Sequence, residues 1–326
     1  MASRPIIEIG IVLYPGVQFA AVHGLTDLFD VADRFAKQHH REERAILSVS
    51  QWRIEEPGAT PVRSPSNENG ANVPPDVLIL PPSLGGPVSQ EDAALFVDWL
   101  VNRHRVGTTL ASVCGGAFVL GETGLLAGRS VTTHWAHADI FRQRFPKVRL
   151  DVDRLIIDDG DFISAGGMMA WVDLGLKLVD RFLGPTIMSE TARFLLVDPP
   201  GREQRYYSAF SPNLNHGDAA VLKVQHWLQA TGARDVTLAA LASHAALEER
   251  TFLRRFRKAT GLTAVDYCQR LRVGKARELL QFSTTPIETI AWDVGYGDAG
   301  AFRRVFVRVT GLTPGEYRRR FKVGHA

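Results

Sequence analysis

One cysteine in the first half of the chain has the local surroundings of a nucleophile. The run Thr108-Thr-Leu-Ala-Ser-Val-Cys114-Gly-Gly-Ala-Phe places Cys114 between an apolar strand-like stretch and a stretch that can begin a helix. A sharp strand-to-helix turn needs small neighbours such as Gly115, lifts its central side chain above the sheet, and lowers a thiol pKa at the helix N-terminus. A buried structural cysteine is the alternative interpretation.

Three further segments end apolar runs in the same half of the chain: Leu80-Pro-Pro-Ser-Leu-Gly85-Gly86, Val131-Thr-Thr-His134-Trp135 and Ser164-Ala-Gly166-Gly167. In an open α/β sheet, ligands bind beyond the carboxyl ends of the strands. Glycine amides there can donate to a carboxylate, and an indole face can hold a cationic or apolar group. The predicted ligand-binding residues are therefore Gly85, Gly86, Cys114, Gly115, His134 and Trp135.

Arginines in the C-terminal part follow a helical spacing. In a helix predicted over about Glu248–Thr260, an inward stripe is formed by Phe252, Leu253 and Phe256, and another face carries Arg250, Arg254 and Arg257 at i, i+4 and i+7. Guanidinium groups pair with guanine edges or phosphate oxygens, so this edge suits a DNA major groove. A merely solvated charged face is the alternative for any single helix.

The arginine helix has a counterpart further along the chain. Residues 256–267 recur as residues 306–317, an offset of 50, and residues 238–242 correspond to 287–291 at an offset of 49. Two helix-turn-helix units are predicted, with one extra residue in the second turn and a long joining helix over about Ala264–Leu280. The second unit presents Arg303, Arg304 and Arg308. Because Ala299 and Gly300 replace longer side chains there, we expect it to contact phosphates more than bases.

The rest of the chain predicts an α/β fold. From Ile6 to about Gly184, short Val/Ile/Leu-rich runs alternate with amphipathic stretches, which is typical of a parallel sheet with flanking helices. Residues 57–75 read as a loop or hairpin. We predict a ligand-sensing domain over residues 5–200, a breaker-rich linker over 201–217, and an all-α DNA-binding domain over 218–326.

Charge separates the two halves. Residues 218–326 contain 18 Lys and Arg against 10 Asp and Glu, a net charge of +8, whereas the preceding residues carry −5. A basic tail on an acidic body is expected when one part binds a polyanion. No apolar run approaches the ~18 residues of a membrane span. The two cysteines, Cys114 and Cys268, lie in segments of different character, which favours unpaired thiols in a reducing, cytoplasmic setting. The histidines and cysteines show no paired metal-ligand spacing, so neither a metal nor another cofactor is expected.

Both halves resemble known families. The AW-x-VGY turn and the F-x-R-x-TG-LT-P-x-x-Y ending resemble the AraC/XylS transcription regulators over about a hundred residues. Together, the Cys114 segment and the three further segments of the first half are similar to the ThiJ/PfpI family, a flavodoxin-like branch of the class I glutamine amidotransferase-like fold. The order of the two domains looks like the GlxA group of AraC-type regulators.

The resemblance implies a sequence-specific transcription regulator, more commonly an activator than a repressor. Its expected partners are double-stranded promoter DNA, RNA polymerase, a second copy of the chain bound through the N-terminal domain, and a small effector. The effector class that it suggests is a nitrogenous metabolite, such as an amino acid or a quaternary amine.

An enzyme remains the alternative: an amidase, deglycase or protease-like protein that uses Cys114. The chain departs from such relatives at two places. PfpI-type proteases have histidine directly after the cysteine, where this chain has Gly115, and the loop 15–26 lacks the glutamate of deglycase-like relatives. His134 alone, without an orienting acid, is a poor partner for a nucleophile. We therefore assign no catalytic residue.

Overall fold

The computed structural model describes residues 6–39, 46–56, 58–65, 73–198, 201 and 203–323. These residues form two compact parts, an α/β domain (residues 1–204) and a helical domain (residues 205–326), so the boundary lies inside the predicted linker. Within the described ranges, no helix has the length and apolar character needed to cross a membrane.

The α/β domain is built on one seven-stranded sheet. Its strands are β1 (Ile6–Leu13), β2 (Ile46–Arg53), β3 (Val62–Pro65), β4 (Val77–Leu80), β5 (Thr109–Val113), β8 (Ile156–Asp158) and β9 (Phe162–Ala165), in the order β3-β2-β1-β4-β5-β9-β8. The five central strands are parallel, whereas β3 and β8 pair antiparallel at the edges. The central order is that of flavodoxin-like folds, which confirms the predicted class.

Helices cover this sheet because its central strands are apolar on both faces; all four residues of β4 are buried. The helices are α1 (Phe19–Gln38), α2 (Gln90–Arg105), α3 (Gly116–Glu122), α4 (Ala138–Arg144), α5 (Trp171–Leu183) and α6 (Pro185–Phe194). The short strands β6 (Ser130–Val131) and β7 (Arg149–Leu150) pair separately. The helices α1, α5 and α6 pack on one another, and α2 packs on α3.

The helical domain contains two similar halves. Its helices are α7 (Ala219–Thr231), α8 (Leu238–Ala245), α9 (Glu249–Thr260), α10 (Ala264–Phe282), α11 (Ile287–Asp293), α12 (Ala299–Thr310) and α13 (Pro314–Phe321). Each half has its own core, in which Phe256 contacts Tyr267 edge-to-face at 5.2 Å between ring centroids, and Phe306 contacts Tyr317 in the same way at 5.5 Å. The predicted duplication is confirmed, and α10 contributes to both cores.

The turns of the two helix-turn-helix units reverse at a residue with left-handed backbone angles. In the first unit this residue is Ala246 (φ 52°), and in the second it is Gly295 (φ 87°), 49 positions later. The next helices begin after the caps Glu248 and Asp298, which are 50 positions apart. The extra residue predicted for the second turn is therefore confirmed as Gly297.

Ala246→Gly should stabilise the helical domain by about 0.5 to 1 kcal/mol, because Ala246 is exposed and its Cβ is strained at positive φ. Urea unfolding of the full-length protein, followed by helical circular dichroism, measures the change. Gly297→Ala is the control: its added Cβ meets no atom within 4 Å, and its φ is not positive, so the effect should be small. A loss of stability in Ala246→Gly would contradict the argument.

Candidate DNA interface and effector site

The helix α9 exposes an unpaired row of arginines. Arg250, Arg254 and Arg257 are exposed, whereas Phe252 and Phe256 on the opposite face are fully buried. None of these three arginines forms an ion pair with a described residue. Three guanidinium forks are thus available along one helical edge for phosphate oxygens or base edges.

Leu253 does not belong to the inward stripe that the helical spacing predicts. Its side chain is 41% exposed, because the buried stripe of α9 is narrow and is formed by Phe252 and Phe256 alone. Leu253 lies one turn from both Arg250 and Arg257. An apolar group among arginines can contact the methyl group of thymine, and a simple helical period cannot distinguish this position from a core position.

The arginines of α12 have counter-charges, unlike those of α9. The pairs are Arg303 with Glu288, Arg304 with Asp298 at 3.9 Å, and Arg308 with Asp266 at 3.7 Å. All of these groups are well exposed and screened by solvent, so each pair is weak and its arginine can exchange the carboxylate for a phosphate. The α12 arginines of the second unit therefore present less uncompensated positive charge than the α9 arginines of the first.

Cys114 occupies the strand-to-helix turn that the sequence predicts. It follows β5, precedes α3 and has a φ of 52°, an unusual value for a residue with a side chain. Its backbone N–H donates to the Ala165 carbonyl at 2.8 Å, and its carbonyl accepts from the Thr133 hydroxyl at 2.7 Å. The turn is thus held by β9 and by the loop after β6, and its thiol is fully buried.

The loop after β4 packs directly on this turn. A Cβ added to Gly116 would lie 2.2 Å from the Leu80 carbonyl oxygen, and one added to Gly115 would lie 3.1 Å from the Gly86 carbonyl oxygen. The structure therefore brings Gly86, Cys114 and Gly115 together. Gly85 is exposed, at the tip of the same loop.

His134 meets Cys114 through its backbone rather than its ring. The His134 N–H hydrogen-bonds to the thiol, whereas Nδ1 of the ring accepts from the Ala136 N–H at 3.1 Å. The ring lies beside that of Trp135, with 5.3 Å between centroids. Burial, with a contribution from nearby His137, lowers the pKa of His134, so its ring is neutral at pH 7. Among the described side chains, no hydrogen bond joins the Cys114 thiol to the His134 ring.

The prediction that a helix N-terminus lowers the pKa of Cys114 is wrong. Burial raises the pKa of Cys114 to about 11, and hydrogen bonds from the backbone of Gly115 and His134 offset this only in part. The hydroxyl of buried Tyr14 donates to the Pro81 carbonyl, and burial together with neighbouring Cys114 raises the tyrosine pKa as well. The reason is that α3 is short and buried, so desolvation outweighs any effect of its N-terminus.

Gln18 is a further candidate site residue that the sequence did not indicate, because no motif marks it. It precedes α1, donates its N–H to the Pro82 carbonyl at 2.8 Å and is 7% exposed. Its Oε1 has no hydrogen-bond partner among the described residues. Exposed apolar side chains lie on the adjoining segments: Phe19 next to Gln18, Leu84 in the loop after β4, and Met169, whose sulfur is 4.0 Å from Gln18 Nε2.

Alkylation of Cys114 should be slow at neutral pH and should accelerate as the pH rises toward 11. With the thiol pKa raised to about 11, the thiolate fraction at pH 7 is on the order of 10⁻⁴. The measurement is iodoacetamide labelling of a Cys268→Ser variant, which leaves one thiol; the same variant in urea, where the ordinary pKa returns, is the control. Because the thiol is also fully buried, fast labelling at pH 7 in the folded protein would contradict the combination of burial and raised pKa.

Comparison with known proteins gives matches in both domains. The helix-turn-helix domain family matches residues 241–320, and the DJ-1/PfpI family matches residues 65–181. The HTH-type transcriptional regulator GlxA of Rhizobium meliloti is 30% identical over 229 residues, covering 68% of this chain and 70% of that protein. The regulator CdhR of Pseudomonas aeruginosa is 27% identical, covering 64% and 62%. Isonitrile hydratase of Pseudomonas putida is 32% identical over only 33% of this chain and 46% of that enzyme.

A flavodoxin-like domain followed by two helix-turn-helix units defines a class of DNA-binding transcription regulators. The chain belongs to the GlxA-type branch of the AraC/XylS family, with an N-terminal DJ-1/PfpI domain. Double-stranded DNA is thus its partner, and the resemblance seen in the sequence is confirmed.

Proposed function

We propose that the protein is a sequence-specific transcription regulator that acts as an activator. In this proposal, α9 reads promoter bases, and a small metabolite bound in the α/β domain controls the activity of the regulator. The observation that carries the DNA-reading role is the row of exposed arginines on α9 that form no ion pair with a described residue: Arg250, Arg254 and Arg257. Unpaired guanidinium groups are already oriented outward and lose no internal ion pair on binding DNA. This supports α9 as the main reading helix.

The second unit has a supporting role in this proposal. The arginines of α12 must exchange carboxylate partners for phosphates, and the small residues Ala299 and Gly300 at its start cannot reach base edges. Contacts to phosphates fix the position of a protein on DNA without reading sequence. We expect Arg303, Arg304 and Arg308 to contribute affinity and salt dependence rather than specificity.

The effector site in this proposal lies over the Cys114 turn. Its polar contacts would be the amides of Gly85 and Gly86, the His134–Trp135 loop and Gln18 Oε1, which has no hydrogen-bond partner among the described residues. An unpartnered buried acceptor favours a ligand with an N–H donor, because leaving it unmet costs about 1 to 3 kcal/mol. The indole face of Trp135 suits a cationic or apolar group. A nitrogenous metabolite satisfies both requirements.

A cysteine-dependent enzyme is the second candidate, favoured by the partial similarity to isonitrile hydratase. The protonated thiol, the absence among the described side chains of a hydrogen bond from it to the His134 ring, and the uncharged Gln18 amide just before α1 all count against nucleophilic catalysis. We therefore propose a binding site without turnover. We also propose that the regulator acts as a homodimer formed through the α/β domain and that it contacts RNA polymerase.

Binding of the full-length protein to its own upstream promoter region, measured across a salt series, tests the DNA-reading role. We expect the logarithm of the affinity to fall linearly with the logarithm of salt concentration, and the promoter to bind more tightly than shuffled DNA of equal length at every salt concentration. Equal affinity for both DNAs, with metabolite extract present as well as absent, would overturn the proposed function. An enzymatic turnover that is measured in the wild-type protein and lost in Cys114→Ala would then support the cysteine-dependent enzyme as the main function.

A further inference from the structure

The short segment Gln204–Ser208, called here the connecting segment, joins the two domains. Its first residue belongs to the α/β domain, where Gln204 is only 2% exposed. The Trp135 N–H donates to Gln204 Oε1 at 2.8 Å, and Gln204 Nε2 donates to the Thr133 carbonyl at 3.0 Å. One amide group therefore holds the backbone on both sides of His134, in the loop proposed to contact the effector.

The α/β domain is shaped to accept this amide. A Cβ on Gly166 would lie 2.3 Å from Gln204 Nε2, so glycine is needed for the close approach. Glu203, the preceding residue, pairs with Arg154 in an isolated antiparallel bridge. Backbone and side chain thus fix the first end of the connecting segment next to the proposed effector site.

The other end of the connecting segment is held by Arg277 of α10. The guanidinium group donates from Nη2 to the Arg205 carbonyl at 3.0 Å and from Nη1 to the Ser208 carbonyl, and it lies 5.4 Å from the ring centre of Tyr317. Arg277 is 9% exposed, burial lowers its pKa, and it forms no ion pair with any residue in the described ranges. Two carbonyls of the segment therefore solvate a buried charge, and losing them would be costly.

Further contacts secure this end on the second helix-turn-helix unit. Arg320 of α13 donates to the Tyr207 hydroxyl at 2.9 Å. The backbone of Gly311, which has a φ of 77°, lies against Tyr206, where an added Cβ would be 2.7 Å from the ring. The residues after Gln204 are therefore a structural part of the helical domain rather than a loose linker.

We propose that the connecting segment is a mechanical link that reports the state of the His134–Trp135 loop to α10, the helix shared by both helix-turn-helix units. The proposal rests on the proposed function in one respect, that an effector contacts this loop. Gln204 and Arg205 are consecutive, and each is hydrogen-bonded within a different domain. Only the backbone torsions between them separate the two attachments, and in this proposal a shift of the loop passes through these torsions to Arg205. Such coupling is reciprocal, so a change at α10 must also reach Trp135.

Hydrogen exchange of the full-length protein tests the link without any ligand. Arg277→Met keeps an unbranched side chain over Tyr317 but removes both hydrogen bonds to the connecting segment. We expect the Trp135 amide, which lies 69 residues before Gln204 and in the α/β domain, to exchange about threefold to tenfold faster in this variant. Arg272→Met is the matched control. Arg272 also lies on α10, donates to the Ala233 and Gly295 carbonyls and lies over Tyr296, but it does not contact the segment.

Two further variants make the result decisive. Gln204→Ala perturbs the opposite end, and it should accelerate exchange of the amides in residues 205–208 even if Arg277→Met fails to fold. Insertion of the flexible sequence Gly-Ser-Gly-Ser between Gln204 and Arg205 keeps both sets of hydrogen bonds but lets the two ends move independently. The effect of Arg277→Met on exchange of the Trp135 amide should then vanish. The link is overturned if neither end responds to the other, if Arg272→Met acts like Arg277→Met, or if the effect survives the insertion.

Promoter DNA then serves as the probe that separates the link from the proposed function. In the wild-type protein, added DNA should change the exchange of the Trp135 amide, and in the insertion variant it should bind without doing so. If DNA does not bind, the proposed function fails, while the comparison of Arg277→Met with Arg272→Met still decides the link. If DNA binds but leaves the Trp135 amide unchanged in the wild type, the link is overturned.

Discussion

Arg254→Ala should weaken binding to the promoter by about 5-fold to 150-fold and should relax base preference at one position of the site. Arg254 is the central member of the α9 row, exposed and without an ion pair to a described residue, so the substitution should remove the proposed DNA contact and leave the fold intact. The measurement is the affinity of the full-length protein for the promoter and for shuffled DNA at several salt concentrations.

Two control substitutions make this prediction specific. Arg304→Ala on α12 should weaken promoter and shuffled DNA equally and should reduce the salt slope by about 1, as expected for a phosphate contact. Arg142→Ala removes the same charge from the α/β domain, where Arg142 pairs with Asp139 on the surface, and should change little. If Arg254→Ala behaved like Arg304→Ala, α9 would not be the reading helix.

Gly116→Ala should destabilise the α/β domain by about 3 kcal/mol or more, because the new Cβ would lie 2.2 Å from the Leu80 carbonyl oxygen and 2.8 Å from that of Pro81. These atoms belong to backbone, so no side chain can move aside. For a domain of this size the melting temperature should fall by about 6 to 12 °C. Calorimetry of the full-length protein measures the change.

Gly85→Ala is the matched control for this clash. It adds the same methyl group at the tip of the loop after β4, the loop that Gly116 faces, but its Cβ would meet no atom within 4 Å and its φ is not positive. Its melting temperature should therefore stay close to that of the wild type. An unchanged melting temperature in Gly116→Ala would mean that the loop after β4 can retreat from the turn.

Much of the fold could be predicted because it depends on repeating local patterns. The offset of 50 residues between Phe256 and Phe306 reflects two copies of one packing unit, and the small residues after Cys114 follow from the geometry of a strand-to-helix turn. The apolar runs of β1 and β4 similarly predicted buried parallel strands. Each of these signals lies within one segment of the chain, so no tertiary contact had to be known.

The features that were missed depend on contacts between distant segments. The pKa of Cys114 is set by burial beneath neighbouring loops, which a local motif does not reveal. Leu253 was misplaced because helical spacing alone does not set the width of the buried stripe. Gln204 lies in a breaker-rich stretch that composition assigns to a linker, yet its amide is bonded to residues about 70 positions earlier.

The long helix α10 has a consequence for the operator itself. It spans 19 residues, or about 28 Å at 1.5 Å per residue, and contributes buried side chains to both helix-turn-helix cores. The separation of α9 from α12 is therefore set by a rigid element. A DNA helix repeats about every 34 Å, so the two contact sites must keep a fixed rotational phase on the duplex. Inserting about half a helical turn of base pairs between them would leave only one unit able to bind.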